Sequence, residues 1–303
     1  MHLMKNENPI MHGSPSALKS WVLAARPKTL IASISPVVIA AVQVQALRWD
    51  LFFLCLCFSV CIQIGANFAN DYFDYLKGAD TSQRIGPARA AQSGWLTLPA
   101  LRKGISVVFT LAALISLPLL FRGGFWGVCV VVFSILFAIW YTGGKRPLGY
   151  LGLGELLVLV FYGPVAVLGS YYVLTLQMNA LVVYSSLPPG LLACSILIAN
   201  NLRDEISDRA AQKRTLVVRF GRTFGQWEYA ASILFAGLFP LWLALSHRAP
   251  ISWAFLALIL PAAFPALKRA FTAASPQELI PLLPASARLL ALYTVGCLVV
   301  FLL

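Results

Sequence analysis

Leu51-Phe-Phe-Leu-Cys-Leu-Cys-Phe-Ser-Val-Cys-Ile-Gln-Ile-Gly-Ala-Asn67-Phe-Ala-Asn70-Asp71-Tyr-Phe-Asp74 begins as an apolar run and ends in carboxylates. A later stretch, Leu191-Leu-Ala-Cys-Ser-Ile-Leu-Ile-Ala-Asn200-Asn201-Leu-Arg203-Asp204-Glu205-Ile-Ser-Asp208, repeats the pattern. Acids are scarce, 11 Asp and Glu in 303 residues, and six of them (Asp71, Asp74, Asp80, Asp204, Glu205, Asp208) follow these two runs. Carboxylates crowded at the end of a membrane-length segment repel one another and oppose the helix dipole. A divalent cation would neutralise them.

Composition places the runs in a bilayer. The chain is 59% hydrophobic and 11% charged, with a mean hydropathy of +0.80, against about 25% charged residues in soluble domains. Apolar windows near 20 residues, enough to cross roughly 30 Å of hydrocarbon as helix, centre on 29–47, 51–69, 104–121, 124–141, 154–173, 182–200, 224–246, 251–267 and 286–303. The expectation is an all-α membrane protein, one domain over 1–303, built as a bundle of nine transmembrane helices behind a polar segment at 1–20. That segment has neither the apolar core of a signal peptide nor the Arg/Ser richness of a transit peptide, so the first span is expected to remain in the mature protein. Cys55, Cys57, Cys61, Cys129, Cys194 and Cys297 all fall inside predicted spans, where they read as small buried apolar residues.

With nine spans the loops alternate sides, and all but Arg48, Arg122 and Arg248 of the 23 Lys and Arg fall on the side of the N-terminus. The positive-inside rule makes that side cytoplasmic and the C-terminus extracytoplasmic. The net charge of +12 is thereby concentrated on one face. Much of it sits in the loops after spans 2 and 6, beside both acid clusters. Orientation needs less, whereas an anion bound through a metal needs this mixture; no nucleic-acid partner is implied.

Asn67, Asp71 and Asp74 lie at i, i+4 and i+7, and Asn200, Asp204 and Asp208 at i, i+4 and i+8, so each set lines one face of a helix continuing past the membrane. Gly78 is expected to end the first of these helices, leaving Asp80 in a loop. Magnesium is held by one or two carboxylates together with waters and phosphate oxygens, so two such helices can clamp a diphosphate. The Asp spacing and closing Glu of an EF-hand are missing. A divalent-cation transporter is the non-enzyme alternative; against it, both clusters open at one face and no acid is expected mid-span.

The chain resembles the UbiA superfamily of intramembrane prenyltransferases, whose N-D-x-x-D and D-x-x-x-D motifs correspond to Asn70-Asp71-Tyr-Phe-Asp74 and Asp204-Glu-Ile-Ser-Asp208. It is most similar to the branch that prenylates 1,4-dihydroxy-2-naphthoate in menaquinone synthesis. That similarity rests on Ala25-Arg26-Pro-Lys28-Thr29, on Tyr141-Thr-Gly-Gly-Lys145-Arg-Pro-Leu-Gly-Tyr150-Leu-Gly-Leu-Gly-Glu155, on Asn200-Asn-Leu-Arg-Asp and on Lys213-Arg-Thr-Leu-Val-Val-Arg219-Phe-Gly221. Where Glu155 stands the branch carries Asp, so Glu155 receives no fixed role: it reaches a metal or an acceptor hydroxyl, or it is an acid favoured by the dipole at the start of span 5.

The resemblance implies a central cavity capped by the loops after spans 2 and 6, in a bacterial cytoplasmic membrane. A polyprenyl diphosphate lies with its tail among lipid-facing helices and its head at the cytoplasmic rim. Asp71, Asp74, Asp204 and Asp208 hold Mg²⁺, helped by Asn67, Asn70 and Asn201, with Asp80 as a further candidate ligand. Lys28, Arg84, Lys145, Arg203 and Lys213 face the diphosphate, and Tyr72, Tyr75, Tyr141 and Tyr162 are the aromatic candidates for shielding an allylic cation. The acceptor loses its carboxylate as CO2, with Arg26 or Lys145 as cationic partner. Other aromatic acceptors, 4-hydroxybenzoate or homogentisate, are the alternative within the same chemistry.

Overall fold

The computed structural model describes residues 15–80 and 85–302, so Arg84 and the polar segment before residue 15, including Lys5, lie outside the described residues. Among the described residues there is no strand. In chain order the helices are α1 (Ala17–Ala25), α2 (Ile31–Ala41), α3 (Trp49–Leu76), α4 (Leu98–Trp140), α5 (Gly154–Val160), α6 (Ala166–Thr175), α7 (Ala180–Ala210), α8 (Leu216–Phe220), α9 (Arg222–Leu245), α10 (Ile259–Thr272) and α11 (Leu282–Leu302).

Seven helical segments among the described residues are long and apolar enough to cross a membrane, or eight if the bent pair Ala17–Thr29 and Ile31–Ala41 is one span. The nine expected windows map onto fewer helices because α4 absorbs two of them. Its 43 residues are interrupted at Gly124, whose φ of 56° and ψ of −141° leave the helical region. A Cβ added at Gly127 would lie 3.2 Å from the Leu119 carbonyl oxygen, whereas eight residues of straight helix separate two positions by about 12 Å. The chain therefore turns back on itself at Gly124. Arg122 fastens the turn by donating from Nε to the Val173 carbonyl at 2.6 Å.

α3 and α7, 28 and 31 residues long, exceed the roughly 20 residues that span hydrocarbon. Their surplus turns carry the two acid rows into the polar end of the bundle. As expected, α3 stops at Gly78, which takes the left-handed conformation (φ 68°), and the Ala79 N–H returns to the Asp74 carbonyl at 2.9 Å. The 53° bend between α1 and α2 has a similar cause. Arg26 ends α1 with φ 55°, and Pro27 opens the one-turn 3-10 helix that follows.

Between α5 and α6 the helix widens into a π turn over Phe161–Val165, distorted at Gly163. Gly163 faces Gly190 of α7, where an added Cβ would lie 3.0 Å from the Gly163 Cα and 2.5 Å from the Leu159 carbonyl oxygen. Backbone thus touches backbone at this crossing. The largest buried cluster joins α7, α9, α10 and α11 around Tyr229, Trp253 and Tyr293. A second, around Val37, Phe58, Leu119 and Val173, joins α2, α3, α4 and α6. Exposed Phe121, Phe125, Phe235, Trp242, Phe255 and Phe264 form the apolar outer surface a bilayer would cover. All six cysteines are free, and Cys57, expected to be buried, is exposed on that surface.

Candidate active site

Residues of α2 to α7 enclose a cavity of about 660 Å³. Its polar end is lined by Asn67, Asn70 and Asp74 of α3, by Asn200, Asn201, Asp204 and Asp208 of α7, and by Arg26, Arg89 and Lys213. The rest of its wall is mostly apolar, including Phe58, Leu119, Val131, Phe137, Phe161, Tyr162 and Leu168. Of the two rows read from the sequence, Asn67, Asp71, Asp74, Asp204 and Asp208 are buried, while Asn200 is half-buried and lines the cavity.

The acids are not equivalent. Asp74 accepts from the Tyr150 hydroxyl at 2.9 Å. Asp204 is gripped bidentately by its neighbour Arg203, with both N–H···O distances 2.7 Å. Lys213 stands 3.7 Å from Asp208. Asp71 differs in that its side chain is not on the cavity wall. Its Oδ1 accepts from both Arg26 and Arg89, the latter at 2.9 Å, and its Oδ2 accepts from the Ala90 N–H at 3.1 Å. The same Arg89 approaches Asp80 at 3.6 Å.

The segment 141–153 closes over Asp74. Thr142 donates to the Asn70 side-chain oxygen at 3.0 Å, and Lys77 donates to the Thr142 carbonyl at 2.6 Å. Lys77 and Lys213 lie over the Tyr150 ring at 5.8 and 5.6 Å. Burial, reinforced by the Asp74 carboxylate, pushes the Tyr150 phenol far above its ordinary value, so it remains a proton donor to Asp74 at any working pH. Tyr141, fully enclosed and near Glu155, is raised for the same reason. Burial lowers Lys77, with Asp74 opposing that shift. The Arg214 N–H to the Tyr150 carbonyl (3.0 Å) and Arg219 to the Leu151 carbonyl (2.7 Å) join this segment to the one after α7.

Glu155 is 8% exposed and not on the cavity wall. Its Oε1 accepts from the Asn201 amide at 2.7 Å, which turns the carbonyl of that amide away from Glu155. Its link to the cavity wall is therefore the Asn201 side chain.

Of the other residues singled out in the sequence, Tyr141 and Tyr162 line the cavity, while Tyr72 packs against the buried cluster around Phe68 and Leu101 instead and Tyr75 is exposed. Arg203 is buried behind Asp204. Lys28 and Lys145 are exposed and absent from the cavity wall; both are basic residues in connecting segments, where the charge that orients a membrane protein also collects. Arg89 and Tyr150 are functional candidates that no spacing in the sequence marks. Tyr150 stood inside a quoted motif. Arg89 was visible only as one basic residue in a loop, although a buried carboxylate at position 71 requires a partner.

Among the described residues no three His, Cys, Asp or Glu side chains converge as a ready metal cage. Asp74, Asp204 and Asp208 instead share one cavity with the amides of Asn70, Asn200 and Asn201. Such an oxygen-only set suits Mg²⁺, which takes few protein carboxylates and keeps positions for water and phosphate oxygens.

The sequence profile of the UbiA prenyltransferase family matches residues 30–301. The chain belongs to this family. Among its UbiA relatives, a 1,4-dihydroxy-2-naphthoate octaprenyltransferase of Mycobacterium tuberculosis is 37% identical, over 88% of this chain and 91% of that protein. The Escherichia coli protein of the same name is 39% identical over 74% and 75%. In fold, the chain is similar to a UbiA homolog from Archaeoglobus fulgidus solved with GPP and Mg²⁺, with a TM-score of 0.67 at 11% identity, covering 94% of this chain and 100% of that one.

Proposed function

We propose that this UbiA protein transfers an all-trans polyprenyl group from polyprenyl diphosphate to 1,4-dihydroxy-2-naphthoate, releasing diphosphate and CO2 and forming demethylmenaquinol. The observation that carries the reading is one cavity with carboxylates from two helices at its polar end and an apolar wall beyond them. The acceptor follows from the names of relatives at 37% and 39% identity. The Archaeoglobus neighbour was solved with GPP and Mg²⁺, matching the donor head group and metal proposed.

Asp74, Asp204 and Asp208, with Asn70 and Asn201, would hold Mg²⁺, which supplies Lewis-acid neutralisation of the departing diphosphate. Tyr150 fixes the Asp74 carboxylate, Arg203 fixes Asp204, and Glu155 fixes the Asn201 amide. Lys213 faces the anion from the cavity wall. Phe137, Phe161 and Tyr162 exclude water from C1 of the departing prenyl group and offer aromatic faces to its positive charge. The ring carbon that bears the carboxylate attacks C1 as the C1–O bond to diphosphate breaks, and loss of that carboxylate as CO2 returns its electron pair to the ring and restores aromaticity.

Counting α4 as two passes that turn at Gly124 gives a single-domain bundle of nine passes in the bacterial cytoplasmic membrane, with the N-terminus and the acid-bearing end cytoplasmic. The test is a Mg²⁺-dependent assay with 1,4-dihydroxy-2-naphthoate and prenyl diphosphates of graded length, measuring CO2 and prenylated product. Preference for 4-hydroxybenzoate or homogentisate would overturn the acceptor; absence of product with every acceptor would overturn the reaction.

A further inference from the structure

Two of the four motif carboxylates are held by arginine, in different ways. Arg203 meets Asp204 through two parallel bonds from the adjacent position; it is 2% exposed and off the cavity wall. Arg26 and Arg89 share a single oxygen of Asp71, come from two different connecting segments, and both line the cavity. A bidentate buried pair is a permanent fixture. Two guanidiniums crowded on one oxygen beside an anion site can exchange that oxygen for phosphate, which they bind bidentately as well.

The occupancy of Asp71 favours exchange. A carboxylate offers about four lone-pair positions, and Arg26, Arg89 and the Ala90 N–H take three of them. The oxygen nearest the cavity-lining arginines is the doubly occupied one. A Mg²⁺ ion that needs near-octahedral oxygens at about 2.0–2.1 Å cannot share it with two cations. The segment bearing Arg89 also reaches the other acid row, because Gly86 lies so close to Arg203 that an added Cβ would sit 2.7 Å from its guanidinium.

We propose that Arg26 and Arg89 are place-holders on Asp71. They neutralise it while the cavity lacks diphosphate, and pass to the diphosphate as it enters, releasing Asp71 to the metal. The inference rests on the function proposed above and deepens it by making metal binding at Asp71 conditional on the anion. Metal and diphosphate then bind with positive coupling, and the coupling resides in these two arginines.

The test uses Mn²⁺ as a paramagnetic substitute for Mg²⁺ on the purified full chain in detergent, titrated alone and with inorganic diphosphate. Wild type is expected to bind Mn²⁺ about fivefold or more tightly with diphosphate than without it. In Arg89→Gln the two affinities move in opposite directions: Mn²⁺ alone tightens because Asp71 has lost a competitor, and Mn²⁺ with diphosphate weakens. Arg26→Gln, on the other connecting segment, gives the same crossover if Arg89→Gln does not fold, and Arg89→Lys restores part of the coupling. If both affinities weaken together, or Mn²⁺ alone is unchanged, the place-holder role is overturned and the proposed function stands. If wild type binds no Mn²⁺ even with diphosphate, the function itself fails and this inference with it.

Discussion

Replacing Tyr150 by Phe removes one oxygen and leaves the ring under Lys77 and Lys213 in place. The lost group donates to Asp74 Oδ1 at 2.9 Å, and a hydrogen bond to a charged group contributes about 1.5–3 kcal/mol. If that energy serves to hold Asp74 in its working orientation, its loss is expected to lower kcat/KM roughly ten- to hundredfold, at about 1.36 kcal/mol per factor of ten. The assay is prenyl transfer to 1,4-dihydroxy-2-naphthoate at several Mg²⁺ concentrations. The Phe variant should need more Mg²⁺ for half-maximal rate, since Asp74 is the group disturbed. Because burial and Asp74 hold the phenol protonated, ionisation of Tyr150 contributes no loss of rate as pH rises toward 10. A Phe variant within twofold of wild type at every Mg²⁺ concentration would refute the reasoning.

Gly190→Ala places a methyl 2.5 Å from the Leu159 carbonyl oxygen and is expected to destabilise the protein by about 1–3 kcal/mol, seen as a lower melting temperature in detergent. Glu155→Ala frees the Asn201 amide and should raise the KM for acceptor or metal, whereas Glu155→Gln keeps an oxygen acceptor and most of the activity; equal losses in the two variants would count against the positioning role. Lys77 has a folded value below its unfolded one, so between the two the unfolded chain binds more protons and stability rises with pH. Melting temperature should therefore gain slightly as pH climbs toward 10.5, and Lys77→Met should remove that gain.

The acid rows were legible because helical periodicity and apolar length are local properties, and both survive folding: Asn67, Asp71 and Asp74 are buried on one face of α3 as their spacing required. The end of α3 at Gly78 was legible for the same reason. The roles of individual charges were not. Lys28 and Lys145 lie in motifs beside the acids yet point outward, while Arg89, 18 positions from Asp71, folds back onto it. Which basic residue meets a buried carboxylate is decided by the path of a connecting segment, and no period encodes that path. The turn at Gly124 was correctly a boundary between two apolar windows, but the π turn at Phe161–Val165 left no periodic mark; Gly163 and Pro164 within it interrupt the helical ladder without changing the apolar pattern.

The crossing of Gly163 with Gly190 bears on how such a protein can change its substrate over evolutionary time. With Gly163 and Gly190 in backbone contact, the crossing itself has no side-chain volume to surrender, and any larger residue there pushes the helices apart. The cavity wall after the Gly124 turn includes Trp126, Val130 and Val131, side chains that can be exchanged one at a time. Remodelling toward shorter or longer isoprenoids is therefore open on the α4 side and closed at the Gly163–Gly190 crossing.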